Sequence, residues 1–192
     1  VHHGGLFPFA KAFAEGLVKV PSPSTHARPM NMTEKILADH LLEDSPSDSF
    51  QSGGTENLSE ATRYSVQPGE ALLVEVDGGY SHEFTSAQVH YFLEEAYGKD
   101  YKLCHSDRFA AFEDHLVYAE EVAKLGPFMP QVETMRKLQR EFQQHTNVSD
   151  YLTKDGKSPG ICHEVAREQM VSPGDFIQAT DSHTCMGGCN NA

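Results

Sequence analysis

Apolar positions along the chain fall into short runs separated by glycine, proline and small polar residues, and their spacing changes from segment to segment. Leu6, Phe7, Phe9, Phe13 and Leu17 give residues 1–20 a weak amphipathic pattern, and Pro21-Ser22-Pro23-Ser24 reads as a linker. Met32, Ile36, Leu37 and Leu41 recur at helical spacing, with Asn31 placed three residues before Glu34 as in a capping box. Residues 44–65, rich in Ser, Asp, Gly and Thr, predict a surface loop or insertion. The apolar run at residues 71–76 predicts a strand that turns at Asp77-Gly78-Gly79. Thr85 and Gln88 then mark the start of a helix that Gly98 ends. Beyond it the pattern predicts a short strand over 101–104 and a helix over roughly 113–125. An amphipathic helix over 130–144 follows, with Val132, Met135, Leu138 and Phe142 on one stripe. Residues 163–170 read as helical. After the Pro173-Gly174 turn, residues 175–180 form a strand that delivers Asp181-Ser182-His183-Thr184.

Strands alternating with helices predict an α/β fold, a mostly parallel sheet flanked by helices. Polar chemistry in such sheets collects beyond the carboxyl ends of the strands, where both the Asp77 turn and the Asp181 tetrad are expected. Residues 1–27 read as an N-terminal extension and linker, and residues 28–192 as one domain. No repeat of fixed period is present.

Composition narrows the function classes. The 192 residues are 39% hydrophobic and 22% charged, a globular balance with no apolar run of the ~18 residues a membrane helix needs. Twenty-eight acidic against 15 basic residues give a formal charge of −13, which argues against nucleic acid and anionic membrane surfaces as partners. A small anionic substrate stays compatible, because a few local donors can dominate the field inside a cleft. Val1-His2-His3 lacks the layout of a secretory signal, and the 4 cysteines read as thiols of a reducing compartment rather than a disulfide frame. A cytoplasmic or mitochondrial-matrix protein is expected.

Three patches carry residues suited to chemistry. In Glu113-Asp114-His115 a carboxylate adjoins an imidazole, an arrangement that fixes the tautomer and favours the protonated ring as a general acid. The competing reading is a solvated helix start. Gly160-Ile161-Cys162-His163-Glu164 is equally a turn feeding a helix. Asp175 to Gly188 ends a strand in consecutive polar residues and then Gly-Gly, which lets backbone approach a ligand; a capped helix start is the alternative. His183, Cys185 and Cys189, with His163, could also furnish zinc ligands, although Cys-x3-Cys without a second pair is a weak signal.

Taken in order, these patches resemble a known family. Arg28-Pro29-Met30-Asn31-Met32-Thr33-Glu34-Lys35-Ile36-Leu37 resembles the opening of aconitases and of isopropylmalate dehydratase large subunits, with Asn31 where a Thr is usual. Thr85-Ser86-Ala87-Gln88, Asp114-His115-Leu116, Gly160-Ile161-Cys162-His163 and Thr180-Asp181-Ser182-His183-Thr184 with Gly187-Gly188 resemble further motifs of that family. The resemblance implies reversible dehydration of a hydroxy di- or tricarboxylic acid through a [4Fe-4S] cluster whose open iron polarises the leaving hydroxyl. It implies that Gln88 and Ser182 bind substrate carboxylate and that Asp114-His115 protonates the departing hydroxyl. His163 and Asp181 would form a second carboxylate–imidazole pair, with His183 supporting the site from a partner of its own.

This sequence also departs from the family pattern. Cys185, Met186 and Cys189 surround the Gly-Gly, while Asp77 to His82 and the 44–65 insertion have no familiar counterpart. The cluster cysteines, the base serine and the substrate arginines are expected beyond Ala192, in the remaining aconitase domains of the same or another chain. The domain is therefore expected to be incomplete at its C-terminus and inactive alone. A non-catalytic binding or regulatory module built on the same fold is the alternative.

Overall fold

A computed structural model of the chain describes residues 3–19, 21–42 and 64–192. Most of the 44–65 insertion lies outside the described residues. The chain divides into two compact units, Val1–Val76 and Asp77–Ala192.

The first unit holds α1 (Leu6–Ala14) and α2 (Met32–Asp39). Asn31 caps α2 as its spacing predicts: its side chain accepts the Glu34 N–H at 2.9 Å, and Glu34 accepts the Asn31 N–H at 2.9 Å. Arg28 ties this cap to the returning chain, donating to Glu34 at 2.5 Å and to the Val66 carbonyl at 2.8 Å. The strand expected over 71–76 is absent. Val74 makes only a single antiparallel bridge, to Leu41.

The second unit is built on a three-stranded sheet of β1 (Gly78–His82), β2 (Phe109–Phe112) and β3 (Ile177–Ala179), in the order β2-β1-β3. Both pairings are parallel. The first strand thus begins where the hydrophobic pattern predicts a turn. Its sequence, Gly-Gly-Tyr-Ser-His, is poor in strand formers, and its central position overrides that preference. Glycine is required there: a Cβ on Gly79 would lie 2.5 Å from the Gln178 carbonyl oxygen and 3.2 Å from the Phe109 ring. Asp77 consequently sits before β1, at the amino end of the sheet, where its carboxylate accepts the Phe176 N–H at 2.8 Å.

α3 (Glu83–Tyr97) leaves β1 directly, starts two residues ahead of Thr85 and ends at Gly98 as expected. Residues 101–104 are not a strand; β2 follows later, and its Phe-Ala-Ala-Phe alternation buries two different faces. Ala110 and Phe112 pack with Tyr80, Cys162, Val165 and Ala166, while Ala111 packs with Phe142 and Val148. In place of a helix over 113–125, the chain makes a turn and then 3₁₀ turns at Ala119–Glu121 and Ala123–Phe128. Arg136 holds this segment, pairing with Glu113 at 2.6 Å, with Glu120, and with the Leu116 carbonyl at 3.0 Å. α4 (Met129–Thr146) and α5 (Cys162–Gln169) match the expected helices closely. Among the described residues no helix is long and apolar enough to cross a membrane.

Candidate active site

The carboxyl ends of the three strands deliver the polar residues. β1 ends at His82, Asp114 and His115 follow β2, and Asp181 to His183 follow β3. His163 joins them from the first turn of α5. Thr85 and Thr180 share a hydrogen bond of 2.6 Å that ties the start of α3 to the end of β3.

Asp181 is the centre of this group. Its side chain is 3% exposed, and Oδ1 lies 3.0 Å from His163 Nδ1, close enough for an ion pair but not aligned as a hydrogen bond. Oδ1 accepts the His183 N–H at 2.8 Å, and His183 Nδ1 stands 3.7 Å away. On the other oxygen, His82 Nε2 approaches Oδ2 to 3.9 Å. Burial opposes ionisation of this carboxyl, but the His183 N–H and the imidazoles of His163, His82 and His183 outweigh it and hold Asp181 below the usual carboxylate range. His163 and His183 stack with ring centroids 4.9 Å apart.

A second pair stands beside the first. His115 Nδ1 is 3.5 Å from Asp114 Oδ2, and its ring centroid is 4.6 Å from that of His82. His82 therefore lies between the two carboxylate–imidazole pairs. Burial first, and the neighbouring His115 second, push its pKa below the ordinary imidazole value, so the neutral ring is favoured. Underneath, burial pushes the Tyr80 phenol up to about 12. Burial likewise raises the Cys162 thiol, helped by its hydrogen bond to Asp114, so this sulfur stays protonated.

Five expected site residues, Asp114, His115, His163, Asp181 and His183, thus converge. The carboxylate that His183 faces is Asp181 itself, so the two imidazoles share one partner where the family resemblance implies separate ones. Ser182 is exposed beside them, its Oγ 3.1 Å from His183 Nδ1. Gln88 is exposed on α3, three residues beyond Thr85. Sequence reasoning missed His82 and Glu83. Both sit at the junction where β1 becomes α3, and the only available signal was a His-Glu pair just ahead of Thr85-Ser86.

Two groups among the described residues place three potential metal ligands within 4.8 Å of one another: His82, His115 and Asp181, and Cys162, His163 and Asp181. Neither contains more than one cysteine. Cys104, Cys185 and Cys189 are exposed and belong to neither group. Among the described residues no three thiols stand within 4.8 Å of one another. Nor do His183, Cys185 and Cys189 gather as a zinc site.

The family model described as "Aconitase family (aconitate hydratase)" matches residues 56–190. The chain belongs to the aconitase family. A 3-isopropylmalate dehydratase large subunit from Nautilia profundicola is 30% identical over 166 residues, covering 85% of this chain and 31% of that protein. A methanogen homoaconitase large subunit from Methanocaldococcus jannaschii is 30% identical over 135 residues, 70% of this chain and 29% of its own length. The large subunit of 3-isopropylmalate dehydratase from Aquifex aeolicus is 29% identical over 164 residues, 85% of this chain and 30% of that protein. The chain thus spans less than a third of the length of these aconitase-family relatives.

Proposed function

We propose that this chain supplies the acid–base and carboxylate-binding side of a hydro-lyase site, acting on a hydroxy di- or tricarboxylic acid. The observation that carries the reading is the convergence of two carboxylate–imidazole pairs, Asp114–His115 at 3.5 Å and Asp181–His163 at 3.0 Å, beyond one set of strand ends. Removing a β-hydroxyl needs a proton delivered to the departing oxygen and groups that hold the substrate's carboxylates.

His115 delivers that proton, oriented by Asp114. His163, held by Asp181, keeps a second imidazole against the same oxygen or its water. Ser182, exposed beside His183, and Gln88, exposed on α3, donate hydrogen bonds to a substrate carboxylate. The [4Fe-4S] cluster that the family implies would supply Lewis acidity toward the hydroxyl. Its thiolates, the base at carbon and the substrate-binding arginines belong to the remaining aconitase domains, in the same or another chain. The free cysteines of this chain suit a reducing compartment, the cytoplasm or the mitochondrial matrix.

The test is a hydration and dehydration assay of the complete assembly with citrate, isopropylmalate and homocitrate, following the conjugated double bond of the dehydrated product by near-ultraviolet absorbance. Turnover of one of these acids supports the reading. Binding of a hydroxy acid without turnover in an assembly carrying an intact cluster would make the chain a non-catalytic binding module.

A further inference from the structure

Glu83 is a carboxylic side chain that the reaction outlined above does not use, and it is 1% exposed. It is the first residue of α3, at the point where β1 bends away from the sheet. β2 ends level with it, and the chain runs on through Glu113 to Leu116. The register pairs His82 with Phe112, so the residues after Phe112 face no further strand from β1. Within β2 the Ala111 N–H points to the Ser149 carbonyl, away from β1. Glu83 fills the gap with its side chain. Oε2 accepts the Asp114 N–H at 3.0 Å, and Oε1 accepts the Leu116 N–H at 2.7 Å. The two anchored residues flank His115, whose Nδ1 is 3.9 Å from Glu83 Oε2.

We propose that Glu83 is the positioning residue of the Asp114–His115 pair. One buried carboxylate at the start of α3 pins the backbone on both sides of His115 and so sets the imidazole against His82 and Asp181. A carboxylate suits this place for two reasons: it has an acceptor oxygen for each N–H, and it sits at a helix N-terminus, where partial positive charge favours it. Glutamine keeps the shape but turns a donor toward one of the two N–H groups, leaving that group unpaired.

The kinetic arm of the test rests on the hydro-lyase reading; the exchange arm does not. In the full-length assembled protein, Glu83→Gln is expected to speed hydrogen exchange at Asp114 and Leu116 by at least about fivefold, the effect of losing one hydrogen bond. Residues 109–112 and the body of α3 should stay protected. Turnover should fall about 10–100-fold through misplacement of His115, while KM moves by less than about threefold. If Glu83→Gln does not fold, Glu83→Asp, which draws the carboxylate back by one methylene, should show the same localised pattern. Unchanged exchange at Asp114 and Leu116, or faster exchange spread evenly through β1, β2 and α3, overturns the proposal. So does local loosening with unchanged kcat. Absence of turnover in the unsubstituted assembly would remove the hydro-lyase reading and leave the exchange arm to decide whether Glu83 anchors His115.

Discussion

His163 and Asp181 stand 3.0 Å apart although one lies in the first turn of α5 and the other follows β3. The parallel sheet makes them neighbours, because α5 packs on the Tyr80–Phe112 face while β3 pairs with β1. His82 extends the relationship across the strand ends to the second pair.

Replacing Asp114 by Asn should leave the fold intact, since the side chain keeps its size and can still accept from Cys162. Turnover of the complete assembly should nonetheless fall by ~10²–10⁴, the usual cost of disabling a catalytic acid. Steady-state kinetics alongside thermal melting checks this. Near-normal kcat in a folded variant would remove Asp114–His115 from the acid role.

How much of this was legible beforehand varies by element. α4 and α5 were readable because each carries an apolar stripe at helical spacing, and β3 because turn residues bound it. The strand that organises the site was not. Gly78-Gly79-Tyr80-Ser81-His82 has no apolar alternation, and it is a strand because β2 and β3 close on it from both sides. That misplacement also hid His82 and Glu83, whose roles depend on where β1 ends. The Asp-His and Asp-Ser-His-Thr motifs were visible as residues, but the sharing of Asp181 by several imidazoles exists only in three dimensions.

Ser182 separates affinity from stability. Its hydroxyl faces His183 Nδ1 and is exposed, whereas Thr184 bonds the Asp181 carbonyl at 2.6 Å, so Ser182 does not cap the segment that follows. Ser182→Ala should leave the melting temperature unchanged and weaken both substrate affinity and turnover, by roughly the 1.5–3 kcal/mol of a charge-assisted hydrogen bond. A loss of stability with unaltered kinetics per folded molecule would make Ser182 structural.

His82 predicts a pH dependence of stability. Unfolded, its ring takes up a proton near the ordinary value of 6.5; folded, burial and His115 lower that value, against the opposing pull of Glu83, Asp181 and Asp114. Between the two values the unfolded chain binds more protons, so stability falls as pH drops through 6.5 and levels once the folded ring titrates. Asp181, also held low, adds stability that is present above its ordinary value of 3.8 and lost as pH falls through the folded value. Urea midpoints measured between about pH 7.5 and about pH 5.5 should decline, and His82→Gln should flatten that decline. An equal slope in both proteins would rule out His82 as its source.

The thiols carry their own prediction. Anaerobic incubation of this polypeptide with iron and sulfide should yield a colourless protein, because no three of its cysteines converge. A stoichiometric brown cluster that disappears in Cys185→Ser and Cys189→Ser would make this chain the cluster carrier.

The most direct test of the central claim is a double-mutant cycle in turnover between His163→Gln and Asp181→Asn in the complete assembly. If the two residues act as one acid–base unit, each substitution alone lowers kcat by ~10²–10⁴, and the double variant is no slower than the worse single one. Normal kcat in either folded single variant, or losses that multiply in the double one, would contradict the account.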